Sequence, residues 1–358
     1  MKRNMKNPIR SRQFQGNLVA LLAALFTLSG CVWQDLEECP PPPTGKVSLN
    51  LTFTLHHTLN PDGTYDDLFA DYAESVEIFI FDTNGLFIKK ITDLQGPFAK
   101  NYLLPIVLPV GQYRAVTWVN LASNPAISLT PEPREGITTY DEIRVRLQPP
   151  LPGTSDGQLS PLFYGSTQTF TVFEATTGNQ EITIPSGLTC DTKRARFDIG
   201  WHDKTTGKRC ELSSHADSTR LYVDDESGTL GFDNLFKPSG TITYTPTYQT
   251  GASPTDTGAG ILSAEVDILR LIIGSGPRLR VCRLLPDGSE KQVYEVEIMR
   301  DFISPLYKTQ EEIDRKERFH IEMEFACEHT PNPTDETWIA TRISINDWVL
   351  VDNGDVEL

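Results

Sequence analysis

The segment Val47–Leu55, VSLNLTFTL, alternates apolar and polar residues without a break. Val47, Leu49, Leu51, Phe53 and Leu55 fall on one side, and Ser48, Asn50, Thr52 and Thr54 on the other. A period of two is the signature of extended backbone, whose successive side chains point to opposite faces; a helix would need a period near 3.6. One apolar face means a half-buried strand. The pattern returns in RARFDIGWH, with Ala195, Phe197, Ile199 and Trp201 on one face. It returns again in RFHIEMEFA, with Phe319, Ile321, Met323 and Phe325. A chain patterned this way is expected to be all-β.

Turn chemistry punctuates the strands. Asp82-Thr83-Asn84-Gly85 separates SVEIFIFD from LFIKKI, as a hairpin requires. Pro109-Val110-Gly111 separates YLLPIVLP from QYRAVTWVN, and PLFYGSTQTFTVF and NQEITIP follow. A second series starts near Leu188 and runs through TRLYVDD, GTITYTPTYQT, ILSAEVDILRLIIG, LRVCRLL, KQVYEVEIM and TWIATRISINDWVLV. Each series holds about seven strands, enough for one small sandwich. The expected division is therefore a β-sandwich over 46–186 and another over 187–358. Helix is confined to a short piece in TYDDLFADYAES and at most one turn in YKTQEEIDRKER. No repeat of 20 to 50 residues is present, which excludes a propeller or solenoid.

The first thirty residues read differently. Residues 1–17 carry Lys2, Arg3, Lys6, Arg10 and Arg12 and no acid, and Leu18–Leu28 is apolar except for Thr27. That run is shorter than the roughly 20 residues a membrane helix needs. A basic start, a short apolar stretch and small residues describe a signal peptide. Leu28-Ser29-Gly30-Cys31 looks like a bacterial lipobox, which predicts cleavage between Gly30 and Cys31 and acylation of Cys31. One acyl chain anchors only marginally, so a triacylated cysteine would be needed to hold a protein on a membrane. Pro40–Pro43 predicts an extended, semi-rigid spacer within a tether over 31–45.

The chain has 32 basic and 48 acidic residues. Loss of residues 1–30 removes five basic residues and no acid, leaving 27 against 48 and a net charge of −21. So acidic a surface argues against nucleic acid as a partner. With Cys31 acylated, Cys39, Cys190, Cys210, Cys282 and Cys327 remain, an odd number in an exported chain. All five are candidate disulfide cysteines; Cys190 with Cys210 and Cys282 with Cys327 are the pairs nearest in sequence.

Motifs that carry chemistry are missing. The six histidines form no HExxH, and adjacent His56 and His57 would point to opposite faces of a strand. Gly274-Ser275-Gly276 lacks nucleophile-elbow spacing, and there is no phosphate loop or dinucleotide fingerprint. Asp82-Thr83-Asn84-Gly85 has its glycine too early for a calcium loop. No enzyme activity, cofactor or metal is indicated.

The lipobox followed at once by Asp35-Leu36-Glu37-Glu38-Cys39-Pro40 resembles the FimB-type anchor subunits of Bacteroidales fimbriae. The likeness continues in order through VEIFIFDTNGLFIKKI, LPVGQYRAVTWVN, PLFYGSTQTFTV, LTCDTKRARFDI and RISINDWVLV. The resemblance implies two tandem transthyretin-like β-sandwiches on an outer-membrane lipid anchor, surface-exposed at the fimbrium base. It implies a fimbrial stalk subunit as partner, a structural role and an end to polymerisation. Related stalk subunits mature by an arginine-specific cut that frees an N-terminal strand, and a donor strand then fills the groove.

Between Cys31 and Tyr113 this chain has no arginine; the first is Arg114. An arginine-specific cut cannot release the Val47–Leu55 strand, which should stay in its own sheet. The C-terminal strand region, through Thr341, Ile343, Ile345 and Trp348, is then the candidate subunit contact, the alternative being that it is merely the last core strand. Competing readings are a tip or accessory subunit, a hydrolase, and a surface glycan-binding lipoprotein using Trp118, Trp201, Trp338 or Trp348.

Overall fold

Along the chain, strands follow one another with almost no helix in the computed structural model, which describes residues 43–54, 60–148, 154–155, 159–174, 181–210, 215–226, 228–252, 260–328 and 337–352. The early strands are β1 (Thr44–Phe53), β2 (Val76–Asp82), β3 (Phe87–Asp93), β4 (Leu103–Pro109), β5 (Gly111–Val119) and β6 (Ile127–Thr130). Then come β7 (Arg144–Leu147), β8 (Thr154–Ser155), β9 (Phe163–Ser166), β10 (Phe170–Val172) and β11 (Glu181–Cys190). The late series opens with β12 (Thr192–Asp203), β13 (Thr219–Asp225), β14 (Thr229–Gly231), β15 (Ile242–Tyr244), β16 (Thr247–Ala252) and β17 (Gly260–Leu269). It closes with β18 (Arg278–Leu284), β19 (Glu290–Glu297), β20 (Arg318–Glu328), β21 (Thr337–Ile345) and β22 (Trp348–Asp352). Among the described residues helix is limited to α1 (Phe69–Tyr72), α2 (Gln310–Asp314) and two other short turns. The chain is all-β, as the alternation requires.

The first sheet runs β3-β2-β5-β9-β11-β1-β4, with β10 added to β5. A second runs β16-β17-β12-β20-β21-β22, and a third β19-β18-β13-β15-β8. A small fourth sheet, β14-β7-β6, mixes early and late strands, as does the β15–β8 pair. The residue-186 boundary expected from sequence lies within β11.

The apolar face of β1 is buried as its pattern demands: Val47, Leu49 and Leu51 are fully covered and Phe53 nearly so. Each such side chain contributes roughly 1.5–3 kcal/mol. They pack with Ile78, Ile80, Ala115 and Ile106 in one core. The other face of β2 and β5, Phe79, Phe81, Val116 and Trp118, enters a second core together with Phe232 from the late series. Two-sided burial explains why VEIFIFD reads as an almost continuous apolar run. Its inner acid, Glu77, is buried and ion-paired with Lys90. The Phe232 carbonyl accepts hydrogen bonds from both Tyr140 Oη (2.6 Å) and Tyr164 Oη (2.8 Å), fastening early strands to late ones.

Around the junction of β11 and β12, three charged side chains are buried: Asp191, Lys193 and Arg270. The Lys193 ammonium is fully buried and donates to the carbonyls of Ile313 (3.1 Å), Asp314 (2.9 Å) and Lys316 (2.7 Å). These carbonyls lie at and just beyond the end of α2, where a helix leaves acceptors in need of partners. Arg270 grips Asp314 with both arms (2.9 and 2.6 Å) and donates to the Asn234 carbonyl (2.6 Å). Asn234, held at a φ of 60°, donates its amide to Asp191 (3.0 Å).

Burial pushes the Asp191 carboxyl up to about 7, against the opposing pull of Arg270. A folded-state value above the ordinary 3.8 favours the fold at low pH, and that contribution is lost as pH rises from about 4 to about 7. The isosteric Asp191→Asn should therefore gain stability relative to the parent across this window, by on the order of 3 kcal/mol. Denaturant midpoints at pH 4, 5.5 and 7 check it; a constant difference between the two proteins would remove the pH argument.

Candidate functional site

Strand β1 is hydrogen-bonded along both edges. It pairs in parallel with β11 from Lys46↔Glu181 to Phe53↔Leu188, and antiparallel with β4 from Thr44↔Pro109 to Asn50↔Leu103. No vacant groove is left where β1 lies.

Strand β4 ends that sheet, and its free edge is closed by its own sequence, LLPIVLP. Leu104, Ile106 and Leu108 face the core, whereas Leu103 and Val107 are exposed. Amide groups alternate between the two edges with the same period of two, so Leu103, Pro105, Val107 and Pro109 share one edge. Proline has no N–H, so two of those four donors do not exist. The Val107 carbonyl accepts from the Lys89 ammonium, and the Pro109 carbonyl from Tyr113 Oη at 3.0 Å. Few groups remain with which an incoming strand could pair. At the sheet's opposite end, Phe87 of β3 exchanges backbone bonds with Thr138 and Gly136. The edge strand β19 carries Glu290, Lys291, Glu295 and Glu297, charges that disfavour strand addition.

Strand β22 differs. It folds back on β21 through Asn346 and Asp347, whose φ angles of 46° and 70° make the tight turn that hairpins prefer. Among the described residues no strand covers its outer edge. Trp348 is 67 % exposed and Val349 is 48 % exposed. Trp348 also lines a cleft of about 430 Å³ with Pro305, Leu306, Tyr307, Glu312 and Lys316. Tyr307 is held there by Asn346 Nδ2 (3.1 Å) and by an edge-on contact with Phe319. Helix α2 carries the Glu312 side of the cleft, and a reciprocal capping box between Thr309 and Glu312 fixes its start.

The candidate contact residues therefore separate. Ile343 and Ile345 are buried in the core and Thr341 Oγ1 donates to the Glu324 carbonyl (3.1 Å), so β21 is an interior strand. Only Trp348, on β22, faces outward. Trp118, Trp201 and Trp338 are buried and offer no platform for a sugar. His320 Nε2 lies 2.8 Å from Asp198 on the half-exposed face of β20. Among the described residues no His, Cys, Asp and Glu cluster could hold a metal, and no helix is long and apolar enough to cross a membrane.

Gly30, Cys31 and Cys39 lie outside the described residues. Cys190 and Cys282 carry free thiols, so neither pairing suggested by sequence proximity is formed. The Cys190 Sγ is turned to the Thr192 carbonyl (3.0 Å), and burial pushes its pKa up to about 11, so it is unreactive. Cys282 sits on β18 and Cys327 on β20, strands of different sheets, which proximity in sequence could not reveal.

Sheet edges closed at β4 and open at β22 are the features of a protein that meets others along its strands. Residues 36–354 match the family model of fimbrillin-A associated anchor proteins Mfa1 and Mfa2, and the chain belongs to that family. It is a fimbrial protein of a structural, non-enzymatic family, associated with the cell surface. Its fold is similar to that of the fimbrial anchor protein Mfa2 from Porphyromonas gingivalis: TM-score 0.65, 18 % identity, covering 86 % of this chain and 99 % of that one. A candidate adhesin of Bacteroides thetaiotaomicron gives 0.66 at 23 % identity, over 87 % and 99 % of the two chains. A candidate polysaccharide-binding protein of the same species gives 0.64 at 22 %, over 85 % and 97 %. No curated protein matches the chain.

The closed edge is testable without a partner. Pro105→Thr combined with Lys89→Ala restores one outward donor and frees one outward acceptor. The variant is expected to self-associate at concentrations where the parent is monomeric, as read by analytical ultracentrifugation. A variant as monomeric as the parent would mean that the prolines and Lys89 do not guard this edge.

Proposed function

We propose that this protein is the lipid-anchored base of a fimbrium, held in the outer membrane through Cys31, and that it ends polymerisation by contacting the stalk subunit through β22. The observation that carries the reading is the contrast between the two termini of the folded part. At the amino end β1 fills its own sheet on both sides, and between Cys31 and β1 there is no arginine at which an arginine-specific cut could free it. A subunit that keeps its first strand offers no vacated groove there. At the carboxyl end β22 has, among the described residues, no strand on its outer edge, and it carries an exposed tryptophan.

In this reading the signal peptide is 1–30, the tether 31–45, and the two sandwiches 46–186 and 187–358. The stalk subunit adds a strand along β22 and seats an apolar side chain in the cleft between Trp348 and Tyr307. Main-chain bonds would supply affinity and the cleft specificity, as in other strand-addition complexes. Buried aromatic anchors commonly contribute 2 kcal/mol or more to an interface.

Deletion of residues 348–358 removes the hairpin's outer strand but leaves Ile343 and Ile345 in the core. Cutting from residue 338 would instead unfold the second sheet. The deletion should abolish capture of the stalk subunit, and Trp348→Ala should weaken it at least about tenfold, the equivalent of about 1.4 kcal/mol. Unchanged capture by the folded deletion variant would refute the contact. For the anchor itself, N-terminal analysis of the protein in assembled fimbriae should find acylated Cys31. A mature start beyond residue 46 would exclude it.

A further inference from the structure

Arg114 stands apart from the other half-buried arginines of this acidic chain. Arg194, Arg270 and Arg280 are each gripped by an aspartate: Asp267, Asp314 and Asp224. Arg114, on β5 opposite Phe81, lays its guanidinium over the ring of Tyr140, 4.6 Å from the centroid. Among the described residues its guanidinium has no carboxylate partner and no hydrogen bond. Tyr140 is itself fixed, its hydroxyl donated to the Phe232 carbonyl and its ring set edge-on against Phe81. The stack is thus a rigid platform with a planar fork of donors left over.

The fork opens into a cleft of about 330 Å³. Thr83, Asn84, Thr139 and Thr169 line it, supplying hydroxyl and amide groups around the guanidinium. The Thr139 hydroxyl donates to Glu142 (2.9 Å) and keeps its acceptor lone pair. Two carboxylates also lie at the cleft, Asp82 and Asp141. Asp82 is engaged by its turn, accepting from the backbone N–H of Asn84 (2.8 Å) and Leu86 (2.9 Å).

We propose that this cleft binds a single carboxylate-bearing sugar unit of the uronic-acid type. The guanidinium would take the carboxylate with two parallel hydrogen bonds, the geometry for which arginine is suited. The threonine hydroxyls and the Asn84 amide would meet the ring hydroxyls. The chain's formal net charge of −16 opposes a long polyanion, and Asp141 at the rim does so locally, so the ligand carries one charge among neutral groups. A cleft of this size lies at the small end of ligand sites and fits a single unit better than an extended oligomer. This site is independent of β22, so its failure would leave the assembly reading untouched.

The probe is glucuronic acid titrated into the purified full chain, followed by NMR shifts, with glucose and acetate as controls. The expected result is saturable binding with a dissociation constant on the order of 1 mM. Glucose and acetate should bind at least tenfold more weakly. Arg114→Lys, which keeps the charge but loses the fork, should weaken glucuronate tenfold or more with an unchanged circular dichroism spectrum. Tyr140→Phe should bind like the parent, since it keeps the ring under the guanidinium. No saturation by glucuronate, glucose binding as well as glucuronate, acetate binding as well as glucuronate, or an unaffected Arg114→Lys variant would each overturn the proposal.

Discussion

A buried ammonium group organises the centre of this protein. Lys193 carries its charge into a region from which water is excluded, and it is tolerated there because three backbone carbonyls surround it. Those carbonyls belong to the end of α2 and the residues after it, so a strand of the second sheet and the connection into β20 are fixed to each other. Arg270, leaving the end of β17, ties the same connection through Asp314, and Asn234 links it on to Asp191. Removing Asp314 would leave the Arg270 guanidinium buried without its carboxylate, a larger cost than the net gain of forming the pair. The arrangement selects one mutual placement of strands more than it adds stability.

Much of the fold was legible in the sequence because period two survives intact wherever one face of a strand is covered. VSLNLTF, RARFDIGWH and RFHIEMEFA became β1, β12 and β20, while Leu55 lies outside the described residues. The Pro109-Val110-Gly111 turn and the Asp82–Gly85 hairpin fell where their residues placed them. Strands β6, β7 and β14 escaped notice because three or four residues are too few to show a period. The division of TWIATRISINDWVLV into two strands was there to be read in Asn346-Asp347, a pair suited to positive φ.

The candidate site was only partly legible. Trp348 stood out by type, but nothing local distinguishes it from Trp118, Trp201 and Trp338, whose burial depends on sheets assembled from distant segments. The closed edge of β4 did leave a trace, since Pro105 and Pro109 are four apart in an otherwise apolar strand. What the sequence could not supply was which edge of β4 those prolines faced, or that Lys89 and Tyr113 would reach the carbonyls between and beside them. The solitary guanidinium of Arg114 was equally hidden, because lacking a partner is a property of the assembled surface. The open edge of β22, set against the closed edge of β4, gives the assembly reading its direction.

The double pairing of β1 also has a mechanical consequence. A pull applied to the chain ahead of Thr44 reaches the first sheet through β1. Drawing that strand lengthwise out of its sheet means breaking its ladder with β11 and its ladder with β4 together. Ladders strained along their length yield many bonds at once, whereas a terminal strand peeled from one side gives them up singly. A tether joined to an interior strand is the arrangement that best resists a steady pull.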